Sequence, residues 1–272
     1  MSVILNIKVK ILSKKTVAPN IYLMKLSAPA IAQQAIPGQF IHIKCNQNYY
    51  HLLRRPLSLH QINKDRGEIS VLFQVVGEGT KILSEKAIGE DLNVLGPLGK
   101  GFNINSKSQN ILIVGGGIGI APLLALTEES IKSGKNVQVL IGACNKEMII
   151  GEEGFKDLGI KVYIATEDGS CQYKGLVANL LTEVISVWQT DQIFACGPKT
   201  MLKRIAEIST FYNIDCQVSL EERMGCGIGA CMACVCKIKI KEEQNDKEEH
   251  FYNYKRVCMD GPIFKAEEVI WD

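Results

Sequence analysis

Cys226-Gly-Ile-Gly-Ala-Cys231-Met-Ala-Cys234, with Cys258 further on, constrains this chain more than any other segment. The spacing is C-x4-C-x2-C, and the fourth cysteine follows the third by 24 positions. Four thiolates so spaced hold a 2Fe-2S cluster. Gly225, Gly227 and Gly229 suit a loop that wraps closely around sulfide, since glycine accepts positive φ and lets backbone N–H groups point inward. A four-cysteine zinc site pairs two short knuckles, and only one short knuckle exists here. Disulfides fit poorly with ten cysteines in 272 residues and no visible secretory leader. The other cysteines, Cys45, Cys144, Cys171, Cys196, Cys216 and Cys236, are expected as small buried hydrophobes. Cys236 would alternate as a packed side chain in a strand leaving the loop.

The net charge of +2 makes no case for nucleic acid or an anionic membrane surface. The longest apolar stretch, Ile111 to Leu126, has 16 residues interrupted by four glycines and a proline, too short to span a bilayer. The N-terminal residues alternate like a strand rather than a leader. A soluble, cytoplasmic protein is expected.

The pattern predicts a multidomain chain, part β and part α/β. Residues 1–102 show short alternating runs at Ile4–Leu12, Ile21–Leu26, Phe40–Cys45 and Glu68–Val76, separated by turn signals. These suggest an antiparallel β-barrel, with one helix at Gly79–Ala87. Residues 103–210 alternate apolar strands with helices, implying a parallel α/β domain covered on both faces. The helices are expected at Pro122–Ser133, Leu176–Val187 and Lys199–Thr210. Residues 211–272 form the cysteine module, and the charged stretch 241–250 reads as a solvated hairpin loop.

Gly115-Gly-Gly-Ile-Gly-Ile-Ala-Pro122 follows a strand and opens a helix, where backbone N–H groups attract a pyrophosphate. It does not close as G-x-G-x-x-G; it reads G-x-G-x-G-x-x-P, with Pro122 in the first helical turn. An unliganded tight turn is the alternative. Cys196-Gly197-Pro198 ends another strand, and ligands of open parallel sheets bind beyond strand ends. Gly115, Gly117, Gly119, Pro122, Cys196, Gly197 and Pro198 are therefore candidate nucleotide contacts. In the barrel, Arg55-Pro56-Leu57-Ser58 places a guanidinium beside a restricted proline turn and a hydroxyl, suited to phosphate and to a polar ring edge. A plain surface turn is its alternative. Gly77-Glu-Gly79-Thr80 offers a second helix N-terminus.

In this order the motifs resemble the ferredoxin–NADP reductase superfamily. Ser219–Cys234 and Val257-Cys-Met-Asp-Gly-Pro-Ile-Phe264 resemble one family within it, the electron-transfer subunits of dihydroorotate dehydrogenase B. The resemblance implies FAD contacts at Arg55, Pro56, Leu57, Ser58, Leu72, Phe73, Gln74, Gly79 and Thr80. Family members often carry Tyr-Arg where this chain has Phe73-Gln74, so an amide replaces a guanidinium. The implied cluster ligands are Cys226, Cys231, Cys234 and Cys258. A related reductase subunit often includes a carboxylate ligand, and the four-cysteine set argues against it.

The implied route is NAD, FAD, cluster, partner, because a flavin exchanges a hydride pair for single electrons. The implied partner is an FMN-containing catalytic subunit that oxidises dihydroorotate to orotate in pyrimidine biosynthesis, in a heterotetramer of two of each chain. No residue here is required as a catalytic acid or base. Met224, Ile228 and Met232 are expected at the partner contact, with ordinary loop packing as the alternative. A reductase for a ferredoxin, hydrogenase or other partner is the alternative function, and a redox-sensing regulator a third. Lys146 could meet a 2′-phosphate and Glu147 repel one; the resemblance favours NAD.

Overall fold

The computed structural model describes residues 3–46, 51–240 and 252–271. Six strands close an antiparallel barrel: β1 (Leu5–Ala18), β2 (Ile21–Ser27), β3 (Phe40–Lys44), β4 (Arg55–Asn63), β5 (Glu68–Gln74) and β6 (Asp91–Leu98), in the order β1-β2-β5-β4-β3-β6. Closure removes the free edges an open sheet would expose. Alternation decides what fills the barrel: Met24, Leu26, Ile41, Ile43, Leu59, Ile69, Val71 and Phe73 point inward and are buried. Each such side chain contributes about 1.5–3 kcal/mol by leaving water.

The intervening residues of β3, Phe40 and His42, do not join that core; Phe40 packs in a second one with Cys234, Cys258 and Phe264. Two helices ride on the barrel, α1 (Pro29–Gln34), started by its proline, and α2 (Glu78–Glu85). The expected proline turn at Arg55-Pro56 is instead the start of β4, with His42 opposite Pro56 and Phe40 opposite Ser58. Proline fits the beginning of a strand, where one missing N–H costs least.

The second sheet has seven strands: β7 (Asn110–Gly116), β8 (Asn136–Ala143), β9 (Lys161–Thr166), β10 (Tyr173–Lys174), β11 (Gln192–Cys196), β12 (Asp215–Ser219) and β15 (Ile263–Lys265). Their order is β10-β9-β8-β7-β11-β12-β15, parallel except for the β12–β15 pair. The helices α3 (Leu123–Lys132), α4 (Glu152–Lys156), α5 (Val177–Val187) and α6 (Lys199–Phe211) connect these strands. Ile111 to Val114 are fully buried, as a strand covered on both faces requires. The chain leaves β7 toward β8 on one side and returns to β11 on the other, so a switch point lies between β7 and β11.

The sheet runs past the expected boundary at 210, because β12 and β15 belong to it. Between those strands lies a two-stranded hairpin, β13 (Val235–Lys239) with β14 (Tyr252–Arg256). The charged stretch expected as its loop lies outside the described residues. Among the described residues no helix is long and apolar enough to cross a membrane.

Candidate functional site

Three constellations meet where the barrel, the sheet and the hairpin join. In the cysteine loop, the N–H groups of Ile228, Ala230 and Cys231 converge on Cys226 Sγ at 3.4, 3.3 and 3.4 Å. Positive φ at Gly227 (73°) and Gly229 (81°) turns those groups inward. Burial opposes ionisation of Cys226, but these N–H groups and the Cys231 thiol outweigh it and hold the Cys226 thiol down at about 6. A thiolate is thus favoured before any metal arrives.

Cys234 and Cys258 are distant in sequence but adjacent in space. The Cys258 N–H donates to Cys234 Sγ at 3.4 Å, and the Val257 N–H to the Cys234 carbonyl at 2.8 Å. Burial, then contact with the Cys234 thiol, pushes Cys258 up to about 12. Arg256 locks the arrangement, pairing with Asp260 at 2.9 Å and donating to the Gly229 carbonyl at 3.1 Å.

Among the described residues no three His, Cys, Asp or Glu side chains converge on one metal ion. The cysteines come as two pairs, 226 with 231 and 234 with 258. A single zinc ion would draw all four thiols to one point, whereas a two-iron cluster takes two protein ligands on each iron. The donor set and its N–H cradle fit the cluster. The first pair lies toward solvent and the second is buried.

The second constellation is on the barrel. Arg55 Nη1 donates to the Leu53 carbonyl at 2.8 Å, and the rest of the guanidinium lies over the start of α2. A Cβ placed on Gly79 would come within 2.7 Å of Arg55 Cζ and Nη2, so a larger residue there would displace the guanidinium from this position. Thr80 Oγ1 accepts from the N–H groups of Val76 and Gly77 at 3.0 and 3.2 Å, fixing the turn. A guanidinium over a helix N-terminus is a site for phosphate oxygens. Arg55, Pro56, Leu57, Ser58 and Gln74 are half-buried and open to a ligand. Leu72 and Phe73 turn their side chains into cores, leaving only backbone groups for one.

The third constellation is the crevice at the switch point. Cys196 stands opposite Gly115 in the β7–β11 pairing, which brings both glycine motifs together. Gly119 touches the other motif directly: a Cβ there would lie 2.5 Å from the Cys196 carbonyl oxygen. Gly117 takes φ of 53° and faces open space. Pro122 caps the start of α3. The Cys196 side chain is buried in the core, so its motif contributes backbone.

A cavity of about 540 Å³ opens here, lined by Gly116–Gly119, Gly197–Lys199, Gln74, Glu221, Cys236 and Trp271 among others. Glu221 is solvent-exposed at the cavity rim, and the protein packed around its carboxyl raises its pKa above the usual range. A larger cleft of about 840 Å³, between the far ends of β4 and β5 and helix α3, holds none of the candidate residues. Gly119→Ala is expected to force a backbone shift costing about 1–3 kcal/mol and to weaken nucleotide binding, measured by NADH titration and thermal unfolding.

Several expectations change. Cys236 lies in β13 as expected, half-buried and packed against the core, and it also lines the cavity. Cys144 is exposed and Cys171 half-exposed, because both stand in loops beyond strands β8 and β9. Ile228 and Met232 are 45% and 51% exposed, whereas Met224 packs against the core, since it precedes the turn that lifts the loop outward.

Two residues went unmarked in the sequence. Arg54 ties β3 to β6 through the carbonyls of His42 and Asn93, at 3.3 and 3.1 Å. His42 lies fully buried against Gly227, where a Cβ would sit 2.5 Å from its Nδ1. Burial, with help from Arg54, lowers its pKa to about 4. A polar ring at an outward position of an apolar strand was the one available signal.

Fold and site together define a class, the reductase-type electron-transfer oxidoreductases with ferredoxin–NADP reductase architecture. A solved ferredoxin–NADP+ reductase from Plasmodium falciparum shares that fold, with TM-score 0.62 at 14% identity over 75% of this chain and 89% of that one. Residues 8–102 match the model of the oxidoreductase FAD-binding domain, and residues 221–270 that of the iron–sulfur cluster binding domain of dihydroorotate dehydrogenase B. The chain is 39% identical over 263 residues to the dihydroorotate dehydrogenase B (NAD(+)) electron transfer subunit of Desulforamulus reducens, covering 97% of each. With the corresponding subunit of Geobacillus sp. (strain WCH70) it shares 43% over 259 residues, covering 94% of this chain and 95% of that one. The chain belongs to the family of dihydroorotate dehydrogenase B electron transfer subunits. A structure of the NADH-dependent reduced ferredoxin-NADP oxidoreductase is also similar, with TM-score 0.85 and 30% identity over 97% of this chain and 90% of that one.

Proposed function

We propose that this chain carries electrons between a catalytic subunit that oxidises dihydroorotate on FMN and NAD+, using a 2Fe-2S cluster and FAD. The carrying observation is a contact: Gly227 of the cysteine loop abuts His42 of β3, and His42 stands opposite Pro56 of the Arg55–Ser58 segment. The groups held by the two segments are therefore neighbours. When bound, the flavin exchanges a hydride pair for single electrons and the cluster relays them singly.

Residues 1–102 would hold FAD. Arg55 and the N-terminus of α2 at Gly79 and Thr80 would bind the pyrophosphate, with Pro56, Leu57 and Ser58 along the ring and the backbone of Leu72, Phe73 and Gln74 beside it. Residues 103–210 would hold NAD through Gly115, Gly117, Gly119, Pro122, Cys196, Gly197 and Pro198. Within 211–272, Cys226, Cys231, Cys234 and Cys258 would hold the cluster. Lys146 and Glu147 are both exposed beyond β8; the similarity to NAD(+) subunits supports NAD over NADP. No side chain of this chain needs to move a substrate proton, and free thiols support a cytoplasmic setting.

The partner would dock over the exposed pair Cys226 and Cys231, where Ile228, Met232 and Met259 present 45%, 51% and 48% of their surface. Met232→Glu should weaken that docking by about 2 kcal/mol, roughly thirtyfold in Kd, with cluster absorbance unchanged. Binding measured between the purified subunits checks it. Complexes of this type would be heterotetramers of two of each chain.

Isolation of the chain with its native partner tests the function. FMN in the partner and NAD+ reduction by dihydroorotate are expected. A partner without FMN, or a complex inert to dihydroorotate, would favour the second reading, a reductase for a ferredoxin or hydrogenase, which the 30% identity to the NADH-dependent reductase structure supports.

A further inference from the structure

His42 has no role in binding the barrel's own core. Ile41 and Ile43 beside it point into the barrel, so the alternation of β3 turns His42 outward, toward the cysteine module. Its neighbour on that face, Phe40, packs with Cys234 and Cys258 and meets the His42 ring edge-on at 6.3 Å between centroids. The imidazole is 0% exposed. Its Nδ1 is the atom nearest to a Cβ built on Gly227, at 2.5 Å, so the absence of a side chain at 227 is what admits the ring. The ring reaches toward the Cys226 backbone, yet neither Nδ1 nor Nε2 makes a hydrogen bond of good geometry among the described residues.

A buried ring with both nitrogens unpartnered is costly, and such groups in native proteins call for an explanation. The loop's own N–H groups at Ile228, Ala230 and Cys231 all converge on the Cys226 side. His42 brings a ring nitrogen of the barrel to the same loop, beside Gly227 and the Cys226 backbone.

We propose that His42 is a positioning residue whose ring N–H completes the hydrogen-bond shell of the 2Fe-2S cluster and thereby sets its reduction potential. The inference rests on the assignment of Cys226, Cys231, Cys234 and Cys258 as ligands. Its direction follows from charge: the reduced cluster is more negative by one, so a donor favours it. Removing the donor lowers the potential. Donors behind ligands tune metal sites in this way.

The test uses the FAD- and cluster-loaded protein, with iron, sulfide and flavin measured on each sample. In His42→Leu, cluster and flavin contents stay at wild-type levels, while the cluster's midpoint potential, followed by EPR, falls by about tenfold in the one-electron equilibrium, about 59 mV. His42→Gln, which keeps an N–H, restores most of the shift. Wild-type protein labelled with 15N-histidine supplies a readout that needs no folded Leu variant: the reduced cluster shows an electron–nuclear coupling to an imidazole nitrogen, and His42→Gln removes it. An unchanged potential in cluster-loaded His42→Leu, or no imidazole coupling in the labelled protein, overturns the proposal. Iron and sulfide content report on the four cysteines separately, so a loaded cluster of unchanged potential rejects His42 alone.

Discussion

Replacing Cys231 by Ala is expected to abolish the visible cluster absorbance and to bring iron and sulfide to background, while flavin stays bound. The effect is total rather than partial for a physical reason. Cys231 would supply one of the two ligands of the exposed pair, and alanine would keep only the backbone N–H that donates to Cys226 Sγ at 3.4 Å. Its thiol further helps hold Cys226 in the thiolate range near 6. The variant would therefore lose one proposed ligand thiol and weaken a second. The barrel has its own core, from Met24 to Phe73, that does not include the loop. Flavin content should accordingly be unaffected, and absorbance spectra with iron analysis check both halves. Cluster absorbance that survives in this variant would remove Cys231 from the ligand set.

The second large effect is expected at Arg55. Its guanidinium is held by the Leu53 carbonyl at 2.8 Å and lies over Gly79 at the start of α2, where a phosphate would meet both. A hydrogen bond to a charged group is worth about 1.5–3 kcal/mol, roughly ten- to a hundredfold in Kd. Arg55→Ala should weaken FAD binding by that factor, and flavin release on dilution measures it. Arg55→Lys should recover little, because a point charge lacks the planar fork. The neighbouring Arg54 behaves differently. It ties the carbonyls of His42 and Asn93, so its loss should lower barrel stability rather than flavin affinity alone.

The contrast between these two arginines shows what the sequence made legible. Arg55 stood out because proline and serine follow it, whereas Arg54 carried no local mark; its partners lie on β3 and β6, far along the chain. The cysteine spacing and the glycine loop were readable because their chemistry is set by neighbours a few residues apart. The α/β periodicity was readable because parallel strands are buried on both faces, and helices α5 and α6 fall where the pattern put them, at Val177–Val187 and Lys199–Phe211. Strand β4 escaped because Arg55-Pro56 read as a proline turn, although pairing with β3 and β5 makes Arg55–Asn63 a strand. The three-residue β15 escaped because only its antiparallel pairing with β12 defines it. That pairing also carries the sheet past residue 210, and local composition gave no sign of it. The burial of Leu72 and Phe73 follows from strand alternation, which the motif comparison alone did not weigh.

The Asp260-Gly261-Pro262 turn makes the same point at the site. Its sequence suggests only a turn after Cys258. In space, the Lys100 N–H donates to the Gly261 carbonyl at 2.6 Å, and the Leu220 N–H to the Pro262 carbonyl at 2.9 Å. The turn thus joins barrel, sheet and cysteine module. It explains how the three constellations keep a fixed spacing, which single-electron relay between neighbouring groups requires.

Anaerobic addition of NADH, followed by EPR of the reduced cluster, tests the central claim most directly. FAD-loaded wild-type protein should develop the cluster signal as the flavin bleaches. Flavin-depleted Arg55→Ala protein with a full cluster should develop none until FAD is added back. A cluster signal of equal size and rate without flavin would contradict the account, because electrons would then reach Cys226–Cys258 by a route that bypasses the barrel.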